Sequence, residues 1–156
     1  VIEFSMVRPV SEGAYLDGDR LVWVPEQGHR EVICALGDLK LRGRHNVANV
    51  LAACAISGVV GGAAATMAEV ATTFAGVPHR LELVRVIDGV AYYNDSIATA
   101  PERAVAALRS FTEPVILLAG GRDKHLPFAE WKEAVKEHAR AVICFGEMAP
   151  MLVGVL

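Results

Sequence analysis

The chain has 156 residues, of which 53% are hydrophobic and 21% charged, and its formal net charge is −3. This composition permits a sizeable core and argues against intrinsic disorder, and the slight negative charge offers no basic surface for nucleic acid. The most apolar stretch, residues 47–67, is rich in Ala and Gly and carries Asn49 and Ser57. We therefore expect a buried helix and turn there, and no contact with a membrane.

The three cysteines, Cys34, Cys54 and Cys144, are widely spaced in apolar stretches and form no CxxC pair. We expect buried, reduced thiols, which favour a cytoplasmic location. No positively charged leader precedes an apolar segment, so no signal peptide is visible. Because the first residue is Val1 rather than Met, we expect a piece of a longer protein.

The first half of the chain predicts a β-hairpin followed by two helices. Residues 14–16 and 21–24 flank an Asp-Gly turn signal, and residues 31–36 suggest another strand. Apolar residues at helical spacing then run from Val47 to Ala55, and Gly58, Gly61 and Gly62 are expected to end that helix. Thr66 and Glu69 predict a capping box for the second helix. The Gly-Val-Pro break predicts a domain boundary between residues 1–77 and 78–156.

The second half predicts an α/β domain with a mostly parallel sheet covered by helices. A strand-turn-strand (residues 81–93) precedes a helix (residues 101–111), for which Thr99 and Glu102 predict a second capping box. Strands at residues 115–119 and 141–145 then flank a helix. Ligands bind beyond the carboxyl ends of such strands, so the loops at residues 94–99 and 120–124 are candidate sites.

Six side chains are candidates for ligand binding, and each also has an ordinary structural interpretation. Asn46 and Asn49 share one face at a helix start, where they could bind an adenine edge or Asn46 could simply be an N-cap. Arg80, at the predicted boundary, suits a phosphate or ribose but could be an exposed strand-end residue. The other candidates are Asp95 for sugar hydroxyls, Thr99 for an anion at a helix start, and Lys124 for a carboxylate or phosphate; each could equally be a solvated loop or cap residue.

Four blocks of sequence, taken together, resemble the Mur ligase family in both order and spacing. The third and fourth blocks are similar to the branch of that family that adds D-glutamate, although Ile97 stands where some members have Lys. The blocks are Leu41-Arg42-Gly43-Arg44-His45-Asn46-Val47-Ala48-Asn49, Gly76-Val77-Pro78-His79-Arg80-Leu81-Glu82, Asn94-Asp95-Ser96-Ile97-Ala98-Thr99 and Gly120-Gly121-Arg122-Asp123-Lys124.

The resemblance implies that residues 1–77 end a central ATP-binding domain and that residues 78–156 begin a Rossmann-like domain for the incoming amino acid. It implies nucleotide contacts from Asn46, Asn49, Arg80 and Asp95. It implies contacts from Thr99 and Lys124 to the carboxylates of D-glutamate. No catalytic residue and no metal ligand is assigned to this chain, and the P-loop and the Mg²⁺ ligands are expected to precede Val1.

The implied reaction is ATP-dependent amide bond formation in peptidoglycan synthesis, through an acyl phosphate on the L-alanine of UDP-N-acetylmuramoyl-L-alanine. The expected partners are small molecules only, and we expect a cytoplasmic monomer, inactive as this chain alone. Two alternatives remain open from the sequence: another amide ligase of the superfamily, similar to folylpolyglutamate synthase, or a non-catalytic nucleotide-binding module.

Overall fold

The computed structural model describes all 156 residues as two compact units, Val1–Gly76 and Val77–Leu156. The first unit contains β1 (Glu3–Ser5), β2 (Gly13–Asp17), β3 (Arg20–Val24), β4 (Glu31–Ala35), α1 (Arg44–Val59) and α2 (Ala64–Thr73). The second contains β5 (Glu82–Ile87), β6 (Val90–Asn94), α3 (Pro101–Leu108), β7 (Val115–Gly120), α4 (Ala129–His138), β8 (Ala139–Phe145) and α5 (Ala149–Val155). None of the helices is long and apolar enough to cross a membrane.

The first unit is a four-stranded sheet in the order β1-β2-β3-β4, covered by α1 and α2. The predicted hairpin is confirmed, because β2 and β3 pair antiparallel around a two-residue loop at Gly18 and Asp19. Strand β1 instead pairs parallel with β2. The apolar face of α1 predicted from its spacing is also confirmed, since the residues of that face are all buried: Val47, Val50, Leu51, Cys54 and Ala55.

Helix α1 ends at Val59, between Gly58 and Gly61, so the glycines lie at its end as expected. A Cβ atom at Gly58 would lie only 2.1 Å from the ring of Trp23, which is buried in β3. The glycine therefore allows the helix backbone to approach the sheet at this point. A glycine inside a helix usually costs about 1 kcal/mol relative to alanine, and here close packing is the reason for it.

Both predicted capping boxes are wrong. The N-cap of α2 is Ala63, three residues before Thr66, and the N-cap of α3 is Ala100, the residue after Thr99. Neither helix has a side-chain hydrogen bond at its N-cap. In α3 the expected Pro101 does occupy the first turn, where its missing N–H costs no helical hydrogen bond.

The second unit has a parallel sheet, as predicted, but only β7 and β8 form it. Strand β6 was also expected in this sheet, but it pairs only with β5, antiparallel, in the predicted strand-turn-strand. The two-residue turn at Asp88 and Gly89 has φ angles of 49° and 78°, which match the twist of a tight hairpin. That turn returns the chain directly onto the neighbouring strand.

A single apolar core forms on one face of the β7–β8 sheet, between that sheet and its helices. Trp131 of α4 is buried there and meets Phe128 edge to face, with ring centroids 5.6 Å apart. An ion pair between Arg109 and Glu130, 2.8 Å long, links the end of α3 to α4. The other face of this sheet is covered by nothing in the structure, and its apolar side chains are exposed: Ile116, Leu118, Ile143 and Phe145.

Candidate functional sites in the two units

Asn46 and Asn49 form a hydrogen-bonded pair on the first turn and a half of α1. The Asn46 side chain is buried, and its Nδ2 donates to the backbone oxygen of Arg42 at 2.8 Å. Its Oδ1 accepts from Nδ2 of Asn49 at 3.2 Å, while Asn49 itself is exposed. Asn46 is not an N-cap, because Gly43 has that position. The pair thus consists of a buried amide that orients an exposed one.

Arg80 lies in a short turn, residues 79–82, that opens the second unit. His79 and Leu81 on either side of it have φ angles of 66° and 45°, in the left-handed region. A residue other than glycine in that region costs on the order of 1–2 kcal/mol, so other contacts must hold the turn. The Arg80 side chain is exposed, and its backbone N–H donates to the oxygen of Val77 at 3.2 Å.

Asp95, directly after β6, holds this same turn. Its Oδ1 accepts the backbone N–H of Leu81 at 3.0 Å. The backbone N–H of Ile97 donates to the oxygen of His79 at 3.3 Å, which adds a second link between the two segments. The structure therefore brings Asp95 and the turn bearing Arg80 together, although they are 15 positions apart in the sequence.

The side chains of His79, Glu82 and Asn94 in this region were part of the sequence blocks but had no predicted role. Glu82 Oε2 accepts the backbone N–H of His79 at 2.8 Å. Asn94 contributes two contacts, since its Nδ2 lies 2.9 Å from His79 Nδ1 and its Oδ1 accepts the N–H of Ser96 at 3.1 Å. The sequence signal that could have revealed them is the return of the chain at the Asp-Gly turn, which sets residues 79–82 beside the end of β6.

Thr99 is exposed in the loop between β6 and α3, and its side chain makes no hydrogen bond. Its backbone N–H donates to the oxygen of Ile97 at 2.9 Å. The hydroxyl is one position before the N-cap of α3, so it lies beside the N-terminus of that helix without capping it. Such a hydroxyl has both a donor and an acceptor available for a ligand.

Lys124 lies in the loop after β7, and its ammonium group is exposed and makes no ion pair. The loop is shaped by its neighbours, because Asp123 accepts the N–H of His125 at 2.7 Å while His125 takes a φ of 55°. Gly120 and Gly121, which precede Lys124, are required by the path of the backbone. A Cβ on Gly120 would lie 2.5 Å from the oxygen of Phe145 on β8, and Gly121 has a φ of 134°.

The structure thus joins two of the predicted pairs within their own units, Asn46 with Asn49 and Asp95 with the turn of Arg80. Thr99 and Lys124 make no contact with each other. Both loops begin where predicted, at the carboxyl ends of β6 and β7, but these strands belong to different sheets. No three His, Cys, Asp or Glu side chains are arranged to hold a metal ion.

Comparison with known proteins agrees with the fold and the sequence blocks. Residues 79–153 match the family model described as the Mur ligase, glutamate ligase domain. The crystal structure of UDP-N-acetylmuramate-alanine ligase MurC from Thermotoga maritima is similar with a TM-score of 0.63 over 87% of this chain and 31% of its own, at 18% identity. That likeness shows the fold. The α/β architecture and the parallel β7–β8 sheet fit a Rossmann-like domain.

Two relatives of known name are similar to most of this chain in sequence. The chain is 50% identical over 147 residues to the UDP-N-acetylmuramoylalanine–D-glutamate ligase of Clostridium novyi. The matched segment is 94% of this chain and 31% of that protein. The chain is 48% identical over 130 residues to the ligase of the same name from Roseiflexus, covering 83% of this chain and 28% of that protein. The chain therefore spans about a third of the length of these relatives, and it belongs to the Mur ligase family.

Proposed function

We propose that this chain is the part of an ATP-dependent ligase that holds the nucleotide base and the incoming amino acid, and that the whole enzyme joins D-glutamate to UDP-N-acetylmuramoyl-L-alanine. The observation that carries the proposal is the 50% identity over 94% of the chain with a ligase of that name. The enzyme would act in the cytoplasm, in peptidoglycan synthesis, on small molecules alone.

For nucleotide binding we consider each unit by itself, Asn46 with Asn49 in the first and Arg80 with Asp95 in the second. The exposed amide of Asn49, oriented by Asn46, offers both a donor and an acceptor, which is the pattern an adenine edge requires. Arg80 would bind a phosphate with its guanidinium fork, and Asp95 would accept from ribose hydroxyls. The proposal is supported by the exposed positions of Asn49 and Arg80 and by the hydrogen bond from the Leu81 N–H that holds Asp95 beside the turn of Arg80.

D-glutamate would be held by Thr99 and Lys124 through its carboxylates. An exposed ammonium and an exposed hydroxyl, neither engaged within the protein, are suitable partners for carboxylate oxygens. These residues act as positioners: they aim the amine at the activated alanine carboxylate, and such orientation can supply a large part of a rate enhancement. ATP, when bound, supplies the phosphoryl group that activates that carboxylate, and the P-loop and the Mg²⁺ ligands would lie outside this chain.

The proposal is tested with a full-length ligase that contains this chain, or with a hybrid in which it replaces the matching 147 residues of the Clostridium novyi enzyme. We expect phosphate release from ATP only when UDP-N-acetylmuramoyl-L-alanine and D-glutamate are both present. The parent Clostridium enzyme, assayed in parallel, controls for the quality of the substrates.

The opposite outcomes separate the alternatives. Phosphate release that requires a folate and L-glutamate would indicate a folylpolyglutamate synthase-like ligase instead. A folded full-length protein that binds ATP and turns over none of these substrates would indicate a nucleotide-binding module. Either result would overturn the proposed reaction.

A further inference from the structure

The turn at residues 79–82 and the end of β6 form one hydrogen-bonded unit, which we call the Arg80 clamp. Its members are the turn itself together with Asn94, Asp95 and the backbone of Ile97. Two left-handed residues enclose Arg80 in this clamp, so the direction of its side chain depends on contacts made by its neighbours. None of those contacts involves the Arg80 side chain.

The orientation of the Asn94 amide is fixed independently of His79. Its Oδ1 accepts the backbone N–H of Ser96 at 3.1 Å, and a backbone N–H can only donate. The other end of the same amide, Nδ2, therefore faces His79 Nδ1 at 2.9 Å as a donor. It follows that Nδ1 of His79 is the acceptor and that the ring proton lies on Nε2.

Glu82 also contacts His79. Its Oε2 accepts the backbone N–H of His79 at 2.8 Å, and it lies 3.9 Å from Nδ1 of the ring. The backbone of His79 is thus fixed by Glu82 and its ring by Asn94, and Asp95 fixes Leu81 two residues later. All three side chains act on the two residues that flank Arg80.

We propose that Asn94 and Glu82 are positioning residues for Arg80, which hold His79 as its Nε2–H tautomer and keep the left-handed turn formed before the nucleotide arrives. This role rests on the proposed function of Arg80 in nucleotide binding. A turn that is already formed spares the nucleotide the cost of ordering it, so loss of the clamp weakens binding while leaving the chemical step intact.

The structural half of the proposal is tested on the 156-residue chain by ¹⁵N NMR of the histidine rings. The expected result is an unprotonated Nδ1 and a protonated Nε2 for His79 at neutral pH. In Asn94→Asp the bond to Ser96 is kept but the donor to Nδ1 is lost, so protonation should move onto Nδ1. Arg85→Ala, which removes an exposed charge from β5, and the ring of His138 serve as controls that should not change.

An unchanged His79 ring spectrum in Asn94→Asp, or a wild-type ring with its proton on Nδ1, would overturn the proposal. If Asn94→Asp does not fold, Glu82→Gln tests the other contact, through faster exchange of the His79 amide hydrogen. Protection equal to wild type in that variant would contradict the role of Glu82.

The functional half is tested in the full-length ligase by a double-mutant cycle. We expect Asn94→Ala and Arg80→Ala each to raise the KM for ATP about tenfold with kcat changed less than twofold, and the double variant to resemble Arg80→Ala alone. Additive effects would show that Asn94 does not act through Arg80. If Arg80→Ala has no effect while the NMR results hold, the nucleotide role of Arg80 fails and the clamp itself stands.

Discussion

Asn46 is the one polar residue that is buried in this molecule, and it forms a hydrogen-bonded pair with the asparagine three positions later on the same helix face. It satisfies the Arg42 carbonyl and at the same time orients Asn49. The spacing alone correctly placed both amides on one face. It could not show which of them faces solvent, because that depends on where the sheet beneath α1 lies.

Lys124 provides a sharp test at the level of a single side chain. Lys124→Ala should raise the KM for D-glutamate in the full-length enzyme about 10- to 100-fold with a small effect on the KM for ATP, because a charge-assisted hydrogen bond contributes roughly 1.5–3 kcal/mol. The matched control is Lys136→Ala, an exposed lysine on α4. A D-glutamate KM that is the same in both variants would refute the assigned role.

Cys54 predicts how the first unit responds to alkaline pH. Burial, together with the neighbouring Cys34 thiol, raises the pKa of Cys54 to about 11. Below the ordinary thiol pKa, Cys54 is neutral in both the folded and the unfolded chain, so its ionisation does not affect stability. Above that pKa the thiol ionises in the unfolded chain before it does so in the folded one, so the free energy of unfolding falls as pH rises toward 11. Urea unfolding at pH 8 and pH 10.5 should show this fall reduced in Cys54→Ala and retained in Cys144→Ala. An equal fall in both variants would contradict the assignment.

At the level of elements, the contact of α1 with β3 depends on a missing methyl group. Gly58→Ala would place a Cβ within 2.1 Å of the Trp23 ring, and we expect a loss of about 1–3 kcal/mol in the free energy of unfolding from overpacking, despite the better helix propensity of alanine. Gly37→Ala is the control, since no atom lies within 4 Å of its Cβ. Thermal unfolding of both variants checks this; a Gly58→Ala chain as stable as Gly37→Ala would be contrary to expectation.

Elements with their own periodicity or turn signals were predictable, whereas details set by neighbouring segments were not. The face of α1 and both hairpins followed from local pattern. Thr66 and Thr99 failed as caps because helix α2 starts two residues before Thr66 and helix α3 two residues after Thr99, and a capping motif in sequence does not fix where the first hydrogen bond forms. The Arg80 clamp was missed for a related reason, since hydrogen bonds between residues 79 and 94 depend on the register of β5 with β6.

For the whole chain, the exposed apolar surface of the second unit leads to a measurable prediction. One face of the β7–β8 sheet and much of the β5–β6 hairpin expose large apolar side chains, and parallel sheets are usually covered on both faces. We expect the 156-residue chain to bind an apolar fluorescent dye strongly while keeping its circular dichroism spectrum. Replacing Ile116 and Ile143 with Lys should weaken dye binding without loss of secondary structure. Equal dye binding before and after would show that this face is not the source.

The sequence predicted which residues belong to the candidate sites, as four separate blocks, but not the contacts that these residues make. Six residues were singled out from the sequence, and the structure shows hydrogen bonds at Asn46, Asn49 and Asp95 and around the backbone of Arg80. The binding roles of all six stay predictions, because a contact within the chain does not show which ligand a side chain binds.

The close approach of Gly120 to Phe145 changes how the double glycine before Lys124 should be interpreted. A Cβ on Gly120 of β7 would lie 2.5 Å from the backbone oxygen of Phe145 on the paired strand β8. This position therefore needs a residue without a side chain, whatever amino acid is bound nearby. The two glycines therefore reflect the packing of the backbone and say nothing about the substrate. Asp123 and Lys124, which follow them, are the residues of this block to compare between ligases that accept the same amino acid.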